Sequence, residues 1–326
     1  MEILVTGATG FTGKRLALSL AKEGHRVRAL ARSSSKVDDL QKAGIEVIIG
    51  DITSRDDVFR AVQGMERIYH VAALYRQTNV PDHAFWDVHV KGTENICEAA
   101  LSLGVKKVIH TSTIGVHGHV ENPPGDEDSP FNPGDLYQQT KLEGELLALR
   151  YAKEKQLPLT VVRPAGIYGP GETRMIKLFR AVKRQRFVMI GSGEVFCHFV
   201  YIDDLIQGFK LAADCPQAIG RSYIIAGDEY VTLNKLVAVI AEAVGAPAPR
   251  WRVPYAPVYL AGAICEWLCK PFGIEPPLHR RRVAFFDKIR AFRNDRARQE
   301  LGYNPQIDFR TGIRRTAEWY LKQQLL

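Results

Sequence analysis

Short apolar runs alternate with segments of helical periodicity along the first half of the chain. The first run is EILVTG, and the segment after it, FTGKRLALSLAKEG, has apolar residues at helical spacing and ends in glycine. The next segments have the patterns of a strand, a helix and a strand, namely RVRALAR, VDDLQKAG and EVIIGD. The pattern therefore predicts the order β-α-β-α-β.

The same alternation continues to about residue 169. Strand-like RIYHVAA, KKVIHTST and LTVVRPAGIYG alternate with helical VFRAVQGM, TENICEAALSLG and LYQQTKLEGELLALRYAKEK. Such alternation favours a parallel sheet with helices on both faces, which binds ligands beyond the carboxyl ends of its strands. We predict an α/β fold, a Rossmann-like doubly wound parallel sheet.

The alternation weakens after Gly169, which indicates a smaller lobe built mainly from the later chain. The segments HFVYIDDLIQGFKLAA and SYIIAG are expected to return to the sheet. We therefore predict a dinucleotide-binding domain over residues 1–168 together with 195–227, and a substrate-binding lobe over 169–194 and 228–326.

Composition is ordinary for a soluble globular protein, with 326 residues, 46% of them hydrophobic and 25% charged. The five cysteines are odd in number and lack a C-x-x-C pair, so neither a disulfide framework nor a zinc site is indicated. The N-terminal MEILVTGATG lacks a charged leader before an apolar run, so no secretion signal is predicted. We expect a cytoplasmic protein with reduced cysteines.

The net charge of +8 arises from basic residues spread along the chain, with a local excess from His279 to Arg298. No nucleic-acid-binding motif accompanies them, so no nucleic-acid partner is predicted. A solvated basic face is favoured, while a site for an anionic ligand or a membrane surface stays open.

A glycine-rich turn joins the first strand to the first helix. TGATGFTG places Gly7, Gly10 and Gly13 where missing side chains let backbone amides approach a pyrophosphate at the helix N-terminus. We expect Thr9 and Phe11, which lie between these glycines, to contact the same ligand. The turn predicts a dinucleotide cofactor.

The ends of the second and third strands indicate which dinucleotide binds. ALARSSSK offers Arg32 and three serines where an NAD site usually has a carboxylate, and this loop suits a 2′-phosphate. GDIT adds Asp51 and Ile52 as a polar and an apolar contact for adenine. We predict a preference for NADP(H), with NAD(H) as the alternative.

Tyr137 and Lys141 lie four residues apart in a predicted amphipathic helix. Four residues is close to one helical turn, so both side chains project from the same face. A cation one turn from a phenol lowers the pKa of that phenol toward neutrality, which suits acid–base chemistry.

Together the motifs resemble the extended short-chain dehydrogenase/reductase superfamily, which includes nucleotide-sugar epimerases, dihydroflavonol reductases and 3β-hydroxysteroid dehydrogenases. The resemblance covers nearly the whole chain. It rests on TGATGFTG, GDIT, HVAA, HVKGTENI, HTSTIGVHG, the Tyr137/Lys141 pair, VVRPAGIYGPGE and HFVYIDDL.

The resemblance implies a role for each matching residue. Tyr137 would be the acid/base, Lys141 would hold the nicotinamide ribose, and Thr113, rather than its neighbour Ser112, would hydrogen-bond the substrate oxygen. The remaining cofactor contacts implied are Pro164 and Ile167 along the nicotinamide and Ala72 and Ala73 in the cofactor cleft.

The chain departs from the family pattern at His89, where asparagine is common before VKGT. Imidazole can also donate and accept hydrogen bonds, and we interpret His89 as a buried structural histidine. His110, His117 and His119 lie near Thr113 in the sequence, but their spacing does not indicate a metal site.

The late chain bears on the substrate. The segment Pro254 to Gly273 is strongly apolar and too short to span a membrane. A packed lobe helix, a lid or wall of a hydrophobic pocket, a dimer surface and a membrane-surface helix remain alternatives for it. Residues 276–305 look like the C-terminal part of the 3β-hydroxysteroid dehydrogenase and dihydroflavonol reductase branch.

The resemblance implies an NADP(H)-dependent oxidoreductase that interconverts a ketone and a secondary alcohol on a bulky hydrophobic substrate, sterol-, isoprenoid- or flavonoid-like. A nucleotide-sugar epimerase or dehydratase with tightly held NAD(P) is the alternative, and a cofactor-binding sensor without turnover is a third. A homodimer is expected, and peripheral membrane contact stays open.

Overall fold

The structure, a computed structural model, describes residues 1–75, 80–269, 277–278 and 280–326, without the side chains of residues 281 and 282. Residues 270–273, at the end of the apolar segment, and His279, at the start of the basic region, lie outside the described residues. No helix among the described residues is long and apolar enough to cross a bilayer.

Strands and helices alternate through most of the chain. The strands are β1 (Glu2–Thr6), β2 (Arg26–Ala31), β3 (Glu46–Ile49), β4 (Arg67–His70), β5 (Lys107–Thr111), β6 (Leu159–Pro164), β7 (Gly166–Tyr168), β8 (Met189–Ile190), β9 (Phe196–Tyr201), β10 (Ser222–Ile225), β11 (Tyr230–Thr232) and β12 (Arg252–Val253).

The α-helices are α1 (Phe11–Lys22), α2 (Asp38–Lys42), α3 (Arg55–Val62), α4 (Asp82–Trp86), α5 (Gly92–Ser102), α6 (Leu136–Glu154), α7 (Ile176–Lys183), α8 (Ile202–Asp214), α9 (Leu233–Ala243), α10 (Tyr255–Cys269), α11 (Arg280–Ala284), α12 (Asp295–Leu301) and α13 (Phe309–Lys322). A π-helical turn, Asp87–Lys91, connects α4 to α5.

The main layer is a seven-stranded sheet in the order β10-β6-β5-β4-β1-β2-β3, and all of its pairs are parallel. The chain winds outward from β1 to β3 on one side and from β4 to β6 on the other. The strand order therefore reverses between β1 and β4, where a crevice opens beyond the carboxyl ends of the strands. This topology confirms the predicted doubly wound α/β fold.

Helices cover both faces of this sheet because each presents one apolar stripe to it. On one face α1 and α8 contribute Leu16 and Phe209 to the core, and both side chains are fully buried. On the other face α3, α5 and α6 contribute Val58, Ile96 and Ala148, which are equally buried.

Two smaller sheets lie in the later part of the chain. One has the order β11-β9-β7, and the other pairs β12 with β8. Of the two strands between residues 195 and 227, β10 lies at the edge of the main sheet, whereas β9 pairs with β7 and β11 instead.

Candidate functional site

A cavity of about 960 Å³ opens where the strand order reverses. The structure brings every residue that the sequence nominated for the cofactor or for catalysis to the wall of this one cavity. They are Gly7, Thr9, Gly10, Phe11, Gly13, Arg32, Asp51, Ile52, Ala72, Ala73, Thr113, Tyr137, Lys141, Pro164 and Ile167.

The glycine-rich turn is packed too closely to admit side chains. Gly7 has a φ of +71°, and a Cβ on it would lie 2.7 Å from the Ala72 nitrogen. A Cβ on Gly13 would lie 2.2 Å from the Gly7 carbonyl oxygen. Both glycines are therefore required for α1 to start directly against the end of β1.

The first turn of α1 is suited to an anionic ligand. Gly10 precedes the helix, no side chain caps it, and the first turn carries no acidic residue. The first amides of a helix lack intrahelical partners and lie at the positive end of its dipole. A pyrophosphate fits this end of the cavity.

The residues that the sequence nominated for the nucleoside also line the cavity. Arg32 directly follows β2 and is exposed, and Ser35, one of the three serines that the sequence analysis named beside it, also lines the cavity. Asp51 Oδ1 accepts hydrogen bonds from the amide and hydroxyl of Thr53 at 2.9 and 2.8 Å. Ile52 packs beside Asp51 and is buried.

The first two turns of α6 present Tyr137 and Lys141 to the cavity. Asp135 fixes the start of the helix by accepting a hydrogen bond from the Gln138 amide at 2.9 Å. Lys141 is buried and its Nζ donates to the Thr111 carbonyl. Burial lowers the pKa of Lys141 to about 8, while the nearby Glu145 carboxylate opposes this shift.

Tyr137 is held between two rings rather than by close packing on all sides. Its ring centroid lies 5.1 Å from that of Tyr75 and 5.5 Å from that of His89, and both contacts are edge-to-face. The side chain is half-buried and lines the cavity. It therefore has a defined position and still has access to a ligand.

The structure distinguishes Thr113 from Ser112. Thr113 Oγ1 accepts a hydrogen bond from the Gly115 amide at 3.0 Å, so its hydroxyl proton can be donated to a ligand. Ser112 is buried and donates its hydroxyl to Glu145 at 2.5 Å. The geometry supports Thr113 as the partner of a substrate oxygen.

A buried ion pair behind Ser112 was not predicted from the sequence. Arg163 Nε donates to Glu145 Oε1 at 2.9 Å, and its Nη1 donates to the Glu127 carbonyl oxygen at 2.7 Å. Glu145 lies four residues after Lys141, so the helical spacing that links Tyr137 to Lys141 could have placed it on the same face. The pair joins α6 to the sheet directly behind the site.

His89 connects three parts of the site from within the π-helical turn. Its Nε2 accepts a hydrogen bond from the Leu74 amide at 3.0 Å, so Nδ1 carries the proton and donates to Thr140 Oγ1 at 2.8 Å. Burial, with the Lys141 cation second, lowers the pKa of His89 to about 2. The histidine is buried and neutral, and it ties the cleft loop to α6.

The other histidines near the site are also engaged or enclosed. His70 Nδ1 lies 2.8 Å from Thr6 Oγ1, and burial lowers its pKa to about 3. His117 Nε2 lies 3.1 Å from Arg163 Nη1, and His110 is buried. His119 accepts a hydrogen bond from the Ile289 amide. No group of metal ligands occurs among the described residues.

The half of the cavity away from the glycine-rich turn is mainly apolar. Polar side chains interrupt it, among them Glu172, Thr173 and the guanidinium groups of Arg174 and Arg290. Arg174 pairs with Glu172 at 2.5 Å and lies 4.8 Å from the Tyr75 ring centre. The apolar side chains of this half include Tyr75, Met175, Leu178, Phe199, Leu236 and Phe285. The sequence analysis did not single out these residues.

The described part of the apolar segment Pro254 to Gly273, for which a pocket wall was one alternative, does not line the cavity. Of the cavity-lining residues that the structure describes, none belongs to α10. The hypothesis that this segment forms a pocket wall has no support in its described part. The walls come from α7, β9 and α9 instead.

Comparisons with known proteins show what this chain is similar to. The model of the NAD dependent epimerase/dehydratase family matches residues 3–226. The 3-beta-hydroxysteroid dehydrogenase of Mycolicibacterium neoaurum is 32% identical over 93% of this chain and 87% of its own length. The 2-alkyl-3-oxoalkanoate reductase of Stenotrophomonas maltophilia (strain K279a) is 30% identical over 97% of this chain and 98% of its own.

A solved structure matches the whole fold. The crystal structure of gox2253 superposes with a TM-score of 0.85 at 30% identity, over 99% of each chain.

Proposed function

Because this chain belongs to the NAD-dependent epimerase/dehydratase family and is an NAD(P)-dependent enzyme of the extended short-chain dehydrogenase/reductase type, we propose that it interconverts a ketone and a secondary alcohol on a bulky hydrophobic substrate. NADP(H) is the preferred cofactor in this proposal. The observation that carries it is the meeting of Thr113, Tyr137 and Lys141 with the glycine-rich turn in one cavity.

Each protein group has a defined task in the reduction. With a cofactor bound, Lys141 would hold the nicotinamide ribose, and the reduced nicotinamide would supply the hydride that the carbonyl carbon accepts. Thr113 and Tyr137 hydrogen-bond the carbonyl oxygen as it gains negative charge, and Tyr137 transfers its phenolic proton to that oxygen. Lys141, a cation below a pKa of about 8, lowers the pKa of the phenol. Oxidation follows the same steps in reverse.

The substrate class rests on the far half of the cavity. Its apolar residues, among them Met175, Leu178 and Leu236, favour a hydrocarbon body over a sugar. Relatives named as a hydroxysteroid dehydrogenase and an alkyl-oxoalkanoate reductase support the same class. We propose a sterol-, isoprenoid- or flavonoid-like compound.

A nucleotide-sugar epimerase or dehydratase with tightly held NAD(P) is the second candidate. Arg174 and Arg290 favour it, because guanidinium groups bind phosphate oxygens well. Turnover of panels of hydrophobic ketones and nucleotide sugars separates the two candidates. We expect net oxidation of NADPH with ketones. Conversion of a nucleotide sugar without net change in nicotinamide absorbance would favour the epimerase.

We also propose a homodimer in the cytoplasm, and the division of the chain into a cofactor domain (1–168 with 195–227) and a substrate lobe (169–194 and 228–326). No nucleic-acid partner is proposed. Sedimentation velocity tests the dimer, which a single species of monomer mass would contradict.

A further inference from the structure

The outer face of α10 is unusually apolar and exposed. Leu260 and Trp267 are 62% and 74% exposed, and Ile264 and Leu268 are more than half exposed. These residues recur at i, i+4, i+7 and i+8, so they form one stripe along the helix. Glu266 is the only charged residue of α10.

A second exposed indole lies a few residues before this helix. Trp251 is 73% exposed and directly precedes β12. Its carbonyl accepts a hydrogen bond from the Met189 amide at 2.9 Å, which ties it to β8. We call the exposed apolar surface at this place the α10 patch, made of Trp251, Leu260, Ile264, Trp267 and Leu268.

Exposed cationic side chains occur near the N-terminal end of the patch. Arg250 and Arg252 flank Trp251, and Arg184 and Arg186 lie a few residues before β8, the strand that pairs with β12; all four arginines are exposed. Two acidic side chains among the described residues near this surface have partners within the protein: Glu194 accepts a hydrogen bond from Asn234, and Glu266 pairs with Arg280.

We propose that the α10 patch docks on an anionic phospholipid surface. Exposed tryptophans with aliphatic neighbours settle at the boundary between headgroups and acyl chains, and arginines at their margin pair with anionic headgroups. A second copy of the chain is the other occupant to consider. A second copy would bring its own exposed arginines to the interface and so add positive charge there, whereas anionic headgroups supply countercharge.

The patch adjoins the proposed substrate cavity through α11. Arg280, the first residue of α11, pairs with Glu266 of α10 at 2.7 Å. Phe285 directly follows α11, lines the cavity and is itself 37% exposed. Docking would therefore place one wall of the cavity near the bilayer, where a hydrophobic substrate concentrates. This link rests on the proposed function, whereas docking itself does not.

Co-sedimentation of the full chain with vesicles tests the docking. The vesicles contain one part phosphatidylglycerol to about three parts phosphatidylcholine, and vesicles of pure phosphatidylcholine serve for comparison. We expect binding to the anionic vesicles and at least about tenfold weaker binding to the neutral ones. The double variant Leu260→Ser/Trp267→Ser should weaken binding at least about tenfold. Arg186→Gln/Arg250→Gln should weaken it about thirtyfold, and only for anionic vesicles.

Matched controls keep the result interpretable. Leu103→Ser/Ile219→Ser removes two exposed apolar side chains elsewhere, at 41% and 44% exposure, and Lys22→Gln/Lys42→Gln removes two exposed charges elsewhere. Both controls should bind as the parent does, and circular dichroism verifies each fold. Equal binding to both kinds of vesicle, or no binding, overturns the proposal. Size-exclusion chromatography tests self-association. If Leu260→Ser/Trp267→Ser abolishes a dimer but leaves vesicle binding unchanged, the patch is a dimer interface and the docking proposal is overturned.

Discussion

At the cofactor cavity, single residues decide which ligand groups can approach. Gly7 and Gly13 allow the turn to pack tightly, because a Cβ at either position would collide with backbone, of Ala72 or of Gly7. The spacing of these glycines predicted the tight turn directly, because all the residues of the turn are close together in the sequence. The hydrogen bonds of His89 were not predictable, because Leu74 and Thr140 reach it from distant parts of the chain.

Arg32 tests the cofactor preference. Arg32→Ala removes a guanidinium positioned for a 2′-phosphate, and the binding of NADPH should weaken by about 1.5–3 kcal/mol, the range for a charged hydrogen bond. Binding of NADH should hardly change. Calorimetric titration of the parent and the variant with both cofactors measures this, and equal affinities of the parent for NADPH and NADH would refute the preference.

His89 tests the connection between the cleft loop and α6. His89→Leu leaves the buried Leu74 amide and Thr140 hydroxyl without this partner, so the free energy of unfolding should fall by about 1–3 kcal/mol. Turnover should fall too, because Tyr137 loses a ring contact. His89→Asn keeps a donor and an acceptor, so its free energy of unfolding and its turnover should fall less.

Denaturant unfolding and steady-state kinetics of the parent and both variants measure these quantities. Equal losses in His89→Leu and His89→Asn would contradict the role of the hydrogen bonds.

At the scale of elements, the position of α6 depends on contacts that Lys141 and Glu145 make from its inner face. Tyr137 and Lys141 were recognisable because one helical turn separates them. The buried pair of Glu145 with Arg163 was missed because its partner lies on β6, and periodicity does not reveal such pairings. For the same reason, the strand pattern of β9 did not indicate that it pairs outside the main sheet.

Glu145 tests this anchoring. Glu145→Gln leaves the Arg163 cation buried without its countercharge, so the free energy of unfolding should fall by about 3–5 kcal/mol. Glu154→Gln is a matched change at the exposed end of the same helix and should alter it by less than about 0.5 kcal/mol. Urea unfolding of both variants measures the difference. If Glu145→Gln also changed the free energy of unfolding by less than about 0.5 kcal/mol, the buried pair would not be what holds α6 in place.

At the scale of the whole molecule, the parallel sheet, both helical layers and the location of the site were predictable from the alternating pattern. The environment of α10 was not, because an apolar run does not reveal whether protein or another phase covers it. The described part of α10 is largely exposed rather than packed in the lobe.

Buried histidines predict how the stability of the whole fold responds to acid. Burial lowers the pKa values of His70, His89 and His198 to about 3, 2 and 4, below the ordinary 6.5. The unfolded chain therefore binds more protons than the folded chain below pH 6.5, and stability is lost as pH falls through that window.

Each histidine contributes up to about 1.4 kcal/mol per pH unit to this loss. Glu127 and Asp204, whose pKa values are raised chiefly by burial, offset part of it near the acidic end. Urea unfolding between pH 7 and about pH 4.5 should show a steady decrease in the free energy of unfolding. A flat profile would indicate that these histidines are not buried and neutral.

The central claim is that Tyr137 transfers the proton in a nicotinamide-dependent reaction. Tyr137→Phe removes only the phenolic oxygen, and the measurement is steady-state turnover of the variant beside its calorimetric affinity for NADPH. The account predicts an unchanged fold, nearly unchanged cofactor affinity and a turnover lower by about two to four orders of magnitude. Turnover at the parent rate, with NADPH still bound, would contradict it and assign the proton transfer to another residue.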